Sequence, residues 1–223
     1  MTYRKLDPVR IISTAQILAS RVSERFPGSG LARIAGEMAD LAVDTRKTAA
    51  DLAQPIWWLR VLAIAVMAAG MLVFAFVGTF LSFDRMSSAA FDFVQGIEAA
   101  INMTVLVGVG MYTLVTLEAR FKRHRVLESL HELRSIIHVI DMHQLTKDPV
   151  VFSPDFKPTT SSPKRLMSAA DLKRYLDYCS ELLSLSGKLA ALHAQSVNDR
   201  DVLEAVNDIE NLAANLSRKI WQK

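Results

Sequence analysis

The chain has 223 residues, 51% hydrophobic and 22% charged, with a net charge of +3 and one cysteine. Apolar residues crowd its middle and charges its ends, which argues against one ordinary globular domain. A lone Cys179 excludes an intramolecular disulfide and reads as a small buried hydrophobe on a helix rather than a reactive thiol.

In chain order, Arg4, Lys5, Asp7 and Arg10 leave no apolar core for a secretory leader. Asp7-Pro8 is a helix start, a carboxylate cap followed by proline in the first turn. Val9, Ile12, Ala15, Ile17, Leu18 and Val22 then fall mostly on one face up to Phe26. Pro27-Gly28-Ser29-Gly30 is a turn, and a second, alanine-rich helix carries Leu31, Ile34, Met38, Leu41 and Leu52 as far as Gln54. Residues 1–54 therefore form a helical hairpin.

Pro55 breaks the chain or opens the next helix. Residues 61–81 and 99–117 then carry no charge. At about 1.5 Å per residue each stretch can cross a hydrocarbon core of roughly 30 Å. The reading is a membrane helix over 55–83, an external link over 84–94 and a second membrane helix over 95–117. Arg46, Lys47 and Arg60 precede the pair, and only Arg85 lies between its members. Arg120, Lys122, Arg123, Arg125 and Arg134 follow it. Positive charge stays on the cytoplasmic side, so both termini are expected there, with Trp57 and Trp58 as an inner-face aromatic belt. The basic run from Arg120 to Arg125 can also touch anionic lipid headgroups.

The second membrane helix is expected to continue through 118–147 without a break. There Val126, Leu130, Leu133, Ile137 and Ile140 form a short seam of coiled-coil type, or the inner face of an amphipathic helix. Residues 148–166 hold four prolines and a Thr-Thr-Ser-Ser run, an extended linker. Ser168 and Asp171 resemble a capping box. Leu172, Tyr175, Cys179, Leu182 and Leu189 follow at near-heptad spacing. A restart between Asn198 and Asp201 leads into Val202, Val206, Ile209, Ala213, Leu216 and Ile220, making 167–223 a second hairpin. The fold class expected is all-α, a membrane-embedded helical hairpin carrying a cytosolic helical bundle.

Three constellations are candidates for function. Gly96, Ala100, Thr104 and Gly108 recur every four residues on the second membrane helix, where small side chains let backbones approach in lipid. Their partner can be the first helix, through Ala65 and Ala69, or another copy of the chain. Gln95, Glu98 and Asn102 share one face near the outer end. They read as interfacial polar groups or, in an oligomer, as part of an ion path. His124, His131 and His138 form a stripe with successive members about 10 Å apart, too far for two of them to share a metal ion within one chain. His138 and Asp141 can pair, and His143 lies near the helix end. An enzyme would need a pocket near His131, His138, Asp141 and His143. No phosphate loop, dinucleotide glycine pattern, zinc-ligand pair or nucleophile elbow occurs, so no catalytic residue, cofactor or metal is assigned. The basic run lacks any nucleic-acid reading motif.

Three phrases carry a resemblance. They are His131-Glu-Leu-Arg-Ser-Ile-Ile-His-Val-Ile-Asp-Met-His-Gln-Leu-Thr-Lys-Asp-Pro149, Tyr175-Leu-Asp-Tyr-Cys-Ser-Glu-Leu-Leu-Ser-Leu-Ser-Gly-Lys-Leu-Ala-Ala-Leu192 and Leu216-Ser-Arg-Lys-Ile-Trp-Gln-Lys223. Covering roughly the C-terminal half, they resemble stretches of bacterial two-span inner-membrane proteins of unassigned function. The resemblance implies that compartment and transfers no site residue. The function expected is a non-enzymatic membrane-anchored scaffold or regulatory protein that binds lipid and protein partners, its small-residue stripe allowing a homo-oligomer. A small oligomeric channel or transport component is the alternative.

Overall fold

The computed structural model describes residues 5–80, 90–162 and 167–222, and every regular element among them is helical. The helices are α1 (Pro8–Arg25), α2 (Gly30–Ala53), α3 (Trp57–Phe80), α4 (Ala90–Leu145), α5 (Ala169–Ser196) and α6 (Arg200–Trp221). They divide between two compact units, one of Met1–Ala53 with Arg123–Lys223, the other of Gln54–Lys122. The all-α class follows directly.

Local chemistry sets the helix ends. The Asp7 carboxylate accepts the Val9 amide at 2.9 Å, with Pro8 in the first turn. Ser168 Oγ accepts the Asp171 amide at 3.1 Å, and Asp199 takes the Asp201 and Val202 amides. Each cap satisfies amides that the first turn leaves without an intrahelical partner. Between α1 and α2 the chain turns at Gly28, whose φ of +70° suits a residue without Cβ.

The boundaries differ from the expected ones in two places. α4 starts at Ala90, because Phe91 to Val94 contain no breaker, so the second apolar helix begins before residue 95. Residues 84–89 of the expected link lie outside the described residues. The linker holds a 3₁₀ turn, Pro149–Phe152, capped by Asp148, packed near α5. Asp148-Pro149 repeats the cap-plus-proline signal of Asp7-Pro8, and a single turn results because more prolines follow.

In the first unit α5 packs against α1, α2 and α6. One core joins these helices to the C-terminal part of α4. The seam Val126, Leu130, Leu133, Ile137 and Ile140 is wholly buried in that core, and Cys179 is buried with it. In α1 the buried face is Ile11, Ile12, Ala15, Leu18 and Val22. Val9 and Ile17, expected on it, are exposed, because at about 100° per residue both fall opposite that stripe. Aromatic edges join the end of α1 to α5, with Phe26 packed 5.3 Å from Tyr175 and 6.2 Å from Tyr178 between ring centres.

Gly30 is where α2 meets α4. A Cβ there would overlap the imidazole of His143. Gly30→Ala is therefore expected to cost about 1–3 kcal/mol by overpacking. Gly36, in the same helix, has nothing within 4 Å of an added Cβ. Gly36→Ala should instead stabilise by about 0.5–1 kcal/mol through helix propensity. Thermal denaturation of the full-length protein in detergent, followed by circular dichroism, reads both signs. Equal effects at the two glycines would contradict the close approach of His143.

In the second unit, α3 and the first part of α4 contain stretches long and apolar enough to cross a membrane. Only 6% and 0% of their most apolar windows are buried within the molecule.

Candidate functional site

Two of the basic residues that flank the apolar stretches, Arg60 and Lys122, are organised by a residue outside the expected set, Glu118. It stands one position past the charge-free stretch of α4. Its Oε1 accepts the Ile56 amide at 3.3 Å, just ahead of α3, and meets Lys122 Nζ at 3.0 Å. Its Oε2 accepts from Arg60 Nε at 3.3 Å. Lys122 Nζ also donates to the Gln54 carbonyl at 3.0 Å. The carboxylate thus caps the entry to α3 and holds one cation from each helix. A negative charge at a helix N-terminus opposes the positive end of the helix dipole, which adds to the ion pairs. Glu118 is held below its ordinary carboxylate value, chiefly by the Lys122 hydrogen bond, with Ile56 and Arg60 adding to it and burial opposing. The readable signal was the Glu118–Lys122 spacing of i, i+4. The pairing with Arg60 spans 58 residues and has no local signature.

The other basic residues serve differently. Arg123 pairs with Asp201 at 2.8 Å and Asp199 at 3.9 Å, tying α4 to the start of α6. Arg120 and Arg125 are exposed and make no ion pair with a described residue. Trp57 and Trp58 are exposed large aromatics at the start of α3.

On the apolar part of α4, Glu98 and Asn102 are exposed. The side chains of Gln95, Gly96 and Ala100 lie outside the described residues. Thr104 is exposed, as are Ala65 and Ala69 on α3. A Cβ added at Gly108 meets nothing within 4 Å, so the space beside this glycine is open in the single chain.

His124, His131 and His138 all face outward. His131 borders a shallow acidic groove with Glu37, Asp40, Asp44 and Glu132. Asp141 is engaged by Gln144 Nε2 and by Lys219 Nζ at 3.5 Å, rather than by His138. His143 is half-buried against the start of α2. Burial first, then the charges of Lys147 and Arg33, lower its pKa. No group of three or more potential metal ligands converges among the described residues.

The histidine that the tertiary structure singles out is His193, near the end of α5. It is 1% exposed, its Nε2 lies 3.2 Å from Ser129 Oγ of α4, and its Nδ1 has no hydrogen-bond partner among the described residues. Burial pushes its pKa down to about 4. Its position between Leu192 and the end of the helix gave no sign of this, because histidine is intermediate in burial preference.

Comparison of the chain with protein-family models, with curated proteins and with solved structures returns no match.

Proposed function

We propose that this protein is a two-span integral membrane protein, with both termini and a helical bundle in the bacterial cytoplasm. It acts as a non-enzymatic, oligomeric anchor or scaffold for protein partners. The observation that carries the reading is the exposure of the two apolar stretches, whose windows are 6% and 0% buried. A core helix of a soluble protein of this length would hide such surface, and soluble monomers rarely expose apolar patches of more than a few hundred Å². The charge asymmetry across the hairpin and the resemblance of the C-terminal half support the same compartment.

The open face at Gly108, with Thr104 on the same stripe, supports a contact between copies. Close backbone approach at small residues is how helices associate in lipid. Gly108→Leu is expected to shift the intact complex to a smaller mass in mild detergent, with helical content unchanged. An unaltered mass would remove the stripe from assembly. Affinity purification of the same sample tests the scaffold role through a partner recovered at fixed stoichiometry.

A second reading, an oligomeric channel, rests on the exposure of Glu98 and Asn102 on one face of α4. It requires ion flux in proteoliposomes that Glu98→Ala changes, whereas a scaffold gives none.

A further inference from the structure

The Glu118 cluster is not charge-balanced. One carboxylate faces two cations, Arg60 and Lys122, and the side chains of Glu118 and Lys122 are only 18% and 19% exposed. The surplus positive charge favours an anion from outside the chain. The donors left over lie on Arg60. Lys122 is engaged by both Glu118 and the Gln54 carbonyl. Arg60 gives only its Nε to Glu118. Its two terminal nitrogens donate to no described residue, and its side chain is 54% exposed. A guanidinium held at Nε keeps a planar fork free, which suits two oxygens of a phosphate.

The helix geometry supplies the rest of the ligand's shape. Trp57, Arg60, Val61 and Ile64 are three or four residues apart and so share one face of α3. Trp57, Val61 and Ile64 are 70%, 61% and 61% exposed on it. The face thus runs from an indole, through a cation with free donors, into an uncovered apolar strip. That order matches the interfacial aromatic, the phosphate and the acyl chain of a lipid.

We propose that Arg60, oriented by Glu118, binds the phosphodiester headgroup of an anionic phospholipid, with Trp57 beside the headgroup and Val61 and Ile64 along the chain. The proposal rests on the membrane-spanning reading above.

The test uses the full-length protein in liposomes of mixed phosphatidylcholine and phosphatidylglycerol. The chain has three tryptophans. A Trp221→Phe background leaves Trp57 and Trp58 as reporters. Their quenching is compared when either the neutral or the anionic lipid carries brominated chains, at constant bilayer charge. A preference of about fivefold for the anionic lipid is expected, the size of one interfacial cation's contribution. Arg60→Gln should bring it to parity, and Lys173→Gln, the same charge loss on an exposed position of α5, should leave it unchanged. Equal quenching in the parent, or an equal loss in both variants, would overturn the site. So would a preference erased by inorganic phosphate at constant ionic strength, which would make the occupant a free anion. If Arg60→Gln loses helical signal, Arg60→Lys takes its place, since it keeps the charge without the planar fork and should lower the preference; an unchanged preference would overturn the site. Failure of the parent to float with the liposomes would sink the membrane reading and this site together, whereas flotation without lipid preference sinks only the site.

Discussion

Acidifying the full-length protein from about pH 7 to about pH 4.5 is expected to cost the helical unit around α5 roughly 2.5 kcal/mol through His193 alone. His193 is buried and pushed from 6.5 down to about 4 by desolvation. Between those values the unfolded chain binds a proton that the folded chain refuses. Stability therefore rises with pH through that window and falls as pH drops through it. Above about pH 6.5 the full benefit of the neutral ring is present, and below about pH 4 it is gone. His143, also lowered, acts in the same direction. His193→Leu isolates the larger contribution. It should lose about 1 kcal/mol at neutral pH, where the Ser129 hydrogen bond disappears, and most of the slope between pH 6.5 and 4.5 should vanish. Thermal midpoints in detergent at several pH values, for parent and variant, provide the measurement. A variant as acid-sensitive as the parent would place the titrating group elsewhere.

Ile137→Ala is expected to destabilise the same unit by about 2–5 kcal/mol, the range for emptying a packed aliphatic site. Ile137 is fully buried in the core that joins α4 to α1, α2, α5 and α6. Val139, two residues along the same helix, is exposed. Val139→Ala should change stability by no more than about 0.5 kcal/mol. The pair shares a helix and an aliphatic character, so helix propensity cannot explain a difference of this size. Denaturation midpoints for the two variants check it, and near-equal losses would mean that the seam does not pack as the structure has it. A large loss at Val139 with none at Ile137 would point to a contact between copies on the outer face of α4.

Much of the architecture was legible because it is encoded locally. Asp7-Pro8, Ser168 with Asp171, and Asp199 each mark a helix start through hydrogen bonds that reach at most three residues. The seam from Val126 to Ile140 follows from heptad spacing, and the apolar stretches of α3 and α4 follow from composition and length. The exceptions are local too. On α1, helix rotation puts Val9 and Ile17 opposite Val22, so both are exposed despite their apolar character. In the linker, Asp148-Pro149 repeats the start signal of Asp7-Pro8 among prolines that favour an extended chain.

What the sequence by itself determined is the set of helices, their caps and the two apolar stretches, because periodicity and capping act over a turn or two of chain. Only the tertiary structure decided that Glu118 holds Arg60 and Lys122, that His193 is buried beside Ser129 and that Gly30 makes room for His143. The Arg60 and Ser129 pairings join residues 58 and 64 positions apart. No periodicity records such pairings, since burial and charge pairing are properties of the space between helices. That is also why the strongest site candidates, a carboxylate shared by two cations and a histidine held neutral by desolvation, emerged from packing rather than from motif.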